Sequence, residues 1–151
     1  MSRIIILDST PLGLFLQRRD YHQAEECPRW VARCIAAGDR IVVPEIVDYE
    51  VRRELLRLDK SRAITKLDAF NGAEPDRFLP LITPALRLAA RLWATARKQG
   101  IPTADRFALD IDVILAAQVL SAGFDPAGLV VATGNVAHLS RLLPAELWSN
   151  I

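Results

Sequence analysis

The sequence predicts an α/β protein, a three-layer α/β/α sandwich around a central, mainly parallel sheet. Two observations carry that expectation. The run Ile4-Ile5-Ile6-Leu7 is apolar without alternation, as in a strand buried on both faces. Further short apolar runs begin near residues 40, 78 and 129, with helical patterns between them. A strand that reaches the next strand through a helix makes a parallel, right-handed crossover. Residues 1–151 are expected to form one domain, a normal size for a single core.

The elements follow in order. The first strand covers about residues 3–8, and a short helical turn through Leu12, Leu14, Phe15 and Leu16 follows Pro11. Tyr21 to Ala37 reads as a helix with Trp30, Val31 and Ile35 inward, broken or kinked at Pro28 and ended by Gly38-Asp39. Arg40 to Val43 is the second strand, stopped by Pro44, which opens a helix over Glu45–Lys60. Val47, Val51, Leu55 and Leu58 mark the buried stripe of that helix. Another helix covers residues 61–71, with Ile64, Leu67 and Phe70 inward. Phe78 to Ile82 is a short strand whose Pro80 places it at an edge. Thr83-Pro84 starts a helix that runs to about Gln99. Pro102, Thr103 and Asp105 offer caps for a helix over Leu109–Ser121. Leu129 to Thr133 is a buried strand, Val136 to Leu142 a short helix, and the tail packs Leu147 and Trp148 at an edge.

Composition removes several classes. The chain is 51% hydrophobic, enough for a core, yet no apolar run reaches the length of a membrane span. The start lacks the pattern of a secretory signal, so a cytoplasmic protein with no membrane association is expected. Cys27 and Cys34 lie two helical turns apart, too far for a disulfide. With His22 and His138 the only histidines, structural zinc is not expected. A net charge of +1 excludes strong bulk attraction to nucleic acid but not local patches. Arg52, Arg53, Arg57, Lys60, Arg62 and Lys66 crowd one such stretch. It is either a solvated helix face or an edge for phosphates, with Arg52 and Arg53 the candidate contacts. There is no G-x-x-x-x-G-K loop and no G-x-S-x-G elbow, which argues against an ATPase and an esterase of those kinds.

The candidate chemistry lies in carboxylates. In open α/β sheets ligands sit outside the carboxyl ends of the strands, where Asp8 stands. Asp8 is equally a helix cap, helped by Ser9 and Thr10. Glu50 borders the buried stripe of its helix, where a bare charge is costly. It either joins a site or pairs with Arg53 or Arg57. Asp112 precedes Ala116-Ala117, small residues that let a helix approach the sheet, and it is read as a first-turn residue leaning over the strand ends. Asp110 serves the bland helix-dipole role or an auxiliary one. Thr133 and Asn135 follow the last long strand as auxiliary polar groups, with Asn135 either a turn former or a weak ligand. Crowded carboxylates repel one another, and a hard divalent cation such as Mg2+ or Mn2+ removes the repulsion. That constellation suits metal-assisted phosphodiester hydrolysis.

Four stretches together resemble the PIN-domain ribonucleases, specifically VapC-like toxins of type II toxin–antitoxin pairs. They are Ile5-Ile6-Leu7-Asp8-Ser9-Thr10, Pro44-Glu45-Ile46-Val47-Asp48-Tyr49-Glu50-Val51-Arg52, Asp112-Val113-Ile114-Leu115-Ala116-Ala117, and Val130-Val131-Ala132-Thr133-Gly134-Asn135-Val136-Ala137-His138-Leu139. The resemblance spans nearly the whole chain. It implies the sandwich fold, Mg2+ or Mn2+ held by Asp8, Glu50 and Asp112, RNA as substrate, a homodimer and a cognate antitoxin whose tail crosses the groove. Asn135 stands where the family often has a fourth aspartate, Gly134 where it often has a basic residue, and Pro11 is unusual. These departures leave one negative charge fewer and leave open whether one metal or two would be held and whether activity is retained. The leading expectation is therefore a divalent-metal-dependent endoribonuclease acting as a toxin. The alternative is a catalytically weak or inactive PIN-like RNA-binding or regulatory protein. A nuclease for DNA or structured-RNA flaps is a third.

Overall fold

The computed structural model describes residues 2–17, 22–100 and 106–151. The order is β1 (Ile4–Leu7), α1 (Ser9–Leu16), α2 (His22–Ala36), β2 (Arg40–Pro44), α3 (Glu45–Arg57), α4 (Ser61–Gly72), β3 (Phe78–Leu79), α5 (Thr83–Lys98), α6 (Arg106–Ser121), β4 (Leu129–Thr133), α7 (Val136–Leu139) and β5 (Ala145–Leu147). The strands form one five-stranded sheet in the order β3-β2-β1-β4-β5. Every pairing in it is parallel. This is the expected three-layer α/β/α sandwich.

β1 is the central strand, which explains its unbroken apolar run. Ile5, Ile6 and Leu7 are fully buried, and so are Val42, Val43, Val131 and Ala132 on the flanking strands. The chain adds β2 and β3 on one side of β1, then β4 and β5 on the other. The reversal falls between β1 and β4, with Leu7 in register with Ala132. A reversal of strand order opens a crevice at the carboxyl ends, and the residues that follow Leu7 and Ala132 face it.

Several local expectations shift. β5 is a further edge strand in the tail. Pro80 shortens β3 to two residues, because proline has no amide hydrogen to continue the ladder. α1 begins at Ser9 rather than after Pro11, and α2 stays a continuous helix through Pro28. Gly38 ends the α2 connection at φ 87°, a conformation open to glycine. Ile35 and Leu58, expected inward, are exposed; Leu58 follows the last residue of α3, where the helical stripe ends. Tyr21, Pro102, Thr103 and Asp105 lie outside the described residues.

Trp30 packs against the tail. It is 1% exposed, stacked edge-on against Trp148 with ring centroids 5.6 Å apart. Trp30 is therefore inward as expected, covered by this chain's own tail. Trp93 is half-buried in a second core of Ala89, Leu109, Val113 and Ala117 between α5 and α6. Cys27 and Cys34 are buried free thiols, as their spacing requires. Among the described residues no helix is long and apolar enough to cross a membrane.

Candidate acidic site

Asp8 follows the last residue of β1 and caps α1. Its Oδ1 accepts from the Ser9 amide at 2.8 Å, and its own amide donates to the Ala132 carbonyl at 3.0 Å. Its Oδ2 accepts from the Thr133 hydroxyl at 2.7 Å. The cap and the site are therefore the same carboxylate. Thr133 is fully buried, and its oxygen also accepts from the Asn135 amide at 3.0 Å. One hydroxyl thus fixes Asp8 and the turn after β4 together. Desolvation raises the Asp8 pKa, and the bonds from Thr133 and Ser9 oppose that rise.

Glu50 is brought to the same edge by α3, whose first residues follow β2. Ile46 and Val47 are buried, and Glu50 lies half-buried one step from the stripe. The Ser9 side chain lies near enough to Glu50 to lower its pKa, so Ser9 acts on both acids, on Asp8 with its amide and on Glu50 with its side chain. Burial raises the Glu50 pKa, Ser9 opposes this, and Asp8 adds to it. The simple alternative, a salt bridge to Arg57, does not form: Arg57 pairs with Glu54. Arg53 lies over the Tyr49 ring at 5.3 Å and reaches Glu50 only as a longer-range charge.

Asp112 is half-buried and sits in the second turn of α6, because that helix starts at Arg106 and not at Leu109. The first-turn reading is therefore corrected, and the helix dipole loses force as its explanation. Ala116 and Ala117 are fully buried, which is the close approach their size allows. Burial first, then the charges of Asp8 and Glu50, push the Asp112 pKa up to about 7. Three acids from β1, α3 and α6 thus share one electrostatic environment. Asp110 makes none of these contacts among the described residues.

Two residues missed in the sequence belong here. His138 on α7 places Nδ1 3.8 Å from Asp112 Oδ2. The signal was present, since α7 follows the carboxyl end of β4, next to β1. Gln118 is the other: its side-chain oxygen accepts from the Ile46 amide at 3.0 Å and its nitrogen donates to the Leu79 carbonyl at 2.9 Å. A single buried amide therefore locks α6 to the start of α3 and to β3, which sets Asp112 relative to Glu50.

Other expected residues fall differently. Arg52 is not a free phosphate contact. It is bidentate to buried Asp48 at 2.8 and 3.0 Å and reaches Asp68 at 2.6 Å, tying α3 to α4. Asn135 is exposed, and its amide, rather than its side chain, makes the contact described above. Gly134 lies so close to α1 that a Cβ there would sit 2.7 Å from Thr10 Cγ2. That leaves no room for the basic side chain common at this place in the resembled family. A groove of about 1120 Å3 runs from Ser9 and Glu50 past Arg53, Leu55 and Leu58 to Lys66.

Oxygen-only donors suit a hard divalent cation in kind. In arrangement they do not, because among the described residues no group of three His, Cys, Asp or Glu side chains is placed to hold one.

With this geometry the fold is of the PIN-domain, VapC-like type. No protein-family model and no curated protein sequence matches the chain. Solved structures do. A chain of VapBC2 from Rickettsia felis, bound to a DNA fragment from the promoter, superposes with a TM-score of 0.68 at 15% identity, covering 96% of this chain and 98% of that one. VapBC-1 from nontypeable Haemophilus influenzae gives 0.63 at 20% identity, covering 97% and 98%. FitAcB from Neisseria gonorrhoeae gives 0.64 at 18% identity, covering 97% and 99%. At such identities the likeness is one of fold.

Proposed function

We propose that this chain is a PIN-like RNA-binding protein of the toxin–antitoxin kind with weak or no catalytic turnover. One observation carries the reading: Asp8 is already satisfied by protein donors, and Asp112 is held near neutrality. Asp8 is held by the Ser9 amide and the Thr133 hydroxyl, and the Ser9 side chain opposes the rise of the Glu50 pKa. Asp112, with a pKa of about 7, is neutral in about half of the molecules at neutral pH. Carboxylates satisfied in this way gain less from a cation than bare ones, and Asn135 supplies no fourth charge. Arg53, exposed beside the groove, is the candidate phosphate contact in place of Arg52. A cognate antitoxin belongs to the same proposal, supported by the likeness to chains of VapBC and FitAcB structures, and a homodimer is proposed with it from the family resemblance alone.

A second reading is the divalent-metal-dependent endoribonuclease with Mg2+ or Mn2+ at Asp8, Glu50 and Asp112. It is favoured by the mutual repulsion of these three acids, which a cation would relieve. A bound cation would supply phosphate polarisation and an activated water.

One experiment separates the two. A labelled RNA panel is incubated with the protein in Mn2+, in Mg2+ and in chelator, beside Asp8→Asn, and binding is read by anisotropy on the same RNAs. Binding that is indifferent to metal, without cutting, supports the first reading. Cutting that needs metal and vanishes in Asp8→Asn overturns it and establishes the second. Failure to bind any RNA removes both.

A further inference from the structure

α5 segregates charge as its neighbours do not. Its 16 residues carry Arg87, Arg91, Arg97 and Lys98 and no acid. α3, by contrast, mixes Glu45, Asp48, Glu50 and Glu54 with Arg52, Arg53 and Arg57. Since the whole chain nets only +1, everything outside α5 is negative on balance.

The cations are also ordered in space. At 3.6 residues per turn, Arg87, Arg91 and Lys98 fall within an arc of about 40° and span about 16 Å of helix. Ala85 and Ala89 on the opposite side are buried, and Ala89 packs in the second core with Leu109, Val113 and Ala117 of α6. Arg87, Ala90, Arg91, Thr95 and Lys98 are all exposed. Arg3, Arg52 and Arg57, by contrast, are paired with Asp39, with Asp48 and Asp68, and with Glu54. Among the described residues Arg87, Arg91 and Lys98 have no acidic partner. Arg97, on the flank of the strip, lies over the Trp93 ring at 5.6 Å. Lys98 and Arg97 also suit the helix C-terminus, but Arg87 and Arg91 lie far from that end and gain nothing there.

We propose that the exposed strip Arg87–Arg91–Lys98 of α5 is a contact surface for the phosphate backbone of single-stranded RNA. Its fit is charge complementarity: a row of unpaired cations with small Ala90 and Thr95 between them, against a regular polyanion. It lies on the face of α5 turned away from α6, so it is a surface separate from the acidic edge. This surface rests on the RNA-binding reading and extends it to a second element remote from Arg53.

The test is salt-dependent anisotropy of a labelled single-stranded RNA with the wild-type chain, R87A/R91A, and a control pair R29A/R33A on exposed positions of α2. Each neutralised phosphate on a single strand contributes about 0.7 to the slope of log affinity against log salt. Loss of two contacts lowers that slope by about 1.4 and weakens binding roughly tenfold near 150 mM salt. The control pair should leave both unchanged, and melting curves report that every variant is folded. R87E/R91E, a charge reversal on the same exposed positions, should weaken binding further. If wild type binds RNA and R87A/R91A binds it with the same affinity and slope, the α5 surface is wrong while RNA binding stands. If wild type binds no RNA, the broader reading fails and the strip falls with it. Preferential binding of duplex DNA that R87A/R91A abolishes would overturn the assignment to RNA.

Discussion

Replacing Asp112 by Asn removes the carboxyl that burial and two neighbouring acids hold near neutrality. The rise from 3.8 to about 7 means that the folded protein binds this proton more tightly than the unfolded chain does. Stability therefore falls as pH climbs from about 4 to about 7, and the whole loss is present above that window. At about 1.4 kcal/mol per pKa unit the charging cost is at most about 4 kcal/mol. The side chain remains 20% exposed. Water and counter-ions screen the repulsion at such a position, which leaves about 2 kcal/mol. Asp112→Asn, equal in shape and uncharged, should match wild type near pH 4 and exceed it at pH 8. The gap corresponds to about 4–8 °C in thermal midpoint for a chain of this size. Melting curves from pH 4 to pH 8 in low and high salt measure it, and high salt should narrow the gap. Mn2+ at pH 8 should raise the wild-type midpoint more than that of the variant, since only wild type has this charge to neutralise. A gap that is the same at pH 4 and pH 8 would refute the argument, because it would then come from packing and not from charge.

Other substitutions separate structure from binding. Arg52→Ala leaves Asp48, which is 7% exposed, with only the Asn71 amide at 2.8 Å in place of a bidentate charged partner, and should cost about 2–4 kcal/mol in urea unfolding while leaving RNA affinity unchanged. Arg53→Ala should do the reverse, weakening RNA binding several-fold with little change in the unfolding midpoint, because its guanidinium only lies over Tyr49. Gly134→Ala forces a Cβ against Thr10 and should cost about 1–2 kcal/mol; adding Thr10→Ala should recover most of it, which a double-mutant cycle reads directly. Thr133→Val removes the 2.7 Å bond to Asp8 and should raise the Asp8 pKa further, visible as a shift of its carboxyl titration by NMR.

The sandwich was legible because its strands are buried on both faces and its helices are punctuated by Pro and Gly at their ends. Asp8 could be singled out because an acid ending an apolar run has few places to go except the mouth of a sheet. Glu50 and Asp112 were legible as acids on the border of apolar helix stripes. What patterning did not reveal was partnership. Arg52 and Arg53 are adjacent and identical in type, yet α4 brings Asp68 beside one while the other covers Tyr49. Trp30 reads as inward, but its partner Trp148 comes from the tail more than a hundred residues later. β5 went unseen because a three-residue strand has too little periodicity to register, and β4 alone gives it a ladder.

By itself the sequence determined the first four strands with the helices between them, the buried character of β1 and the three candidate acids, all of which follow from local apolar periodicity and short-range stereochemistry. Only the tertiary structure decided that Ser9 serves two carboxylates, that Thr133 clamps Asp8, that His138 lies beside Asp112, and that burial with two like charges brings that acid to about 7. Hydrogen bonds and pKa shifts depend on distance in space, and the residues concerned lie up to 125 positions apart in the chain.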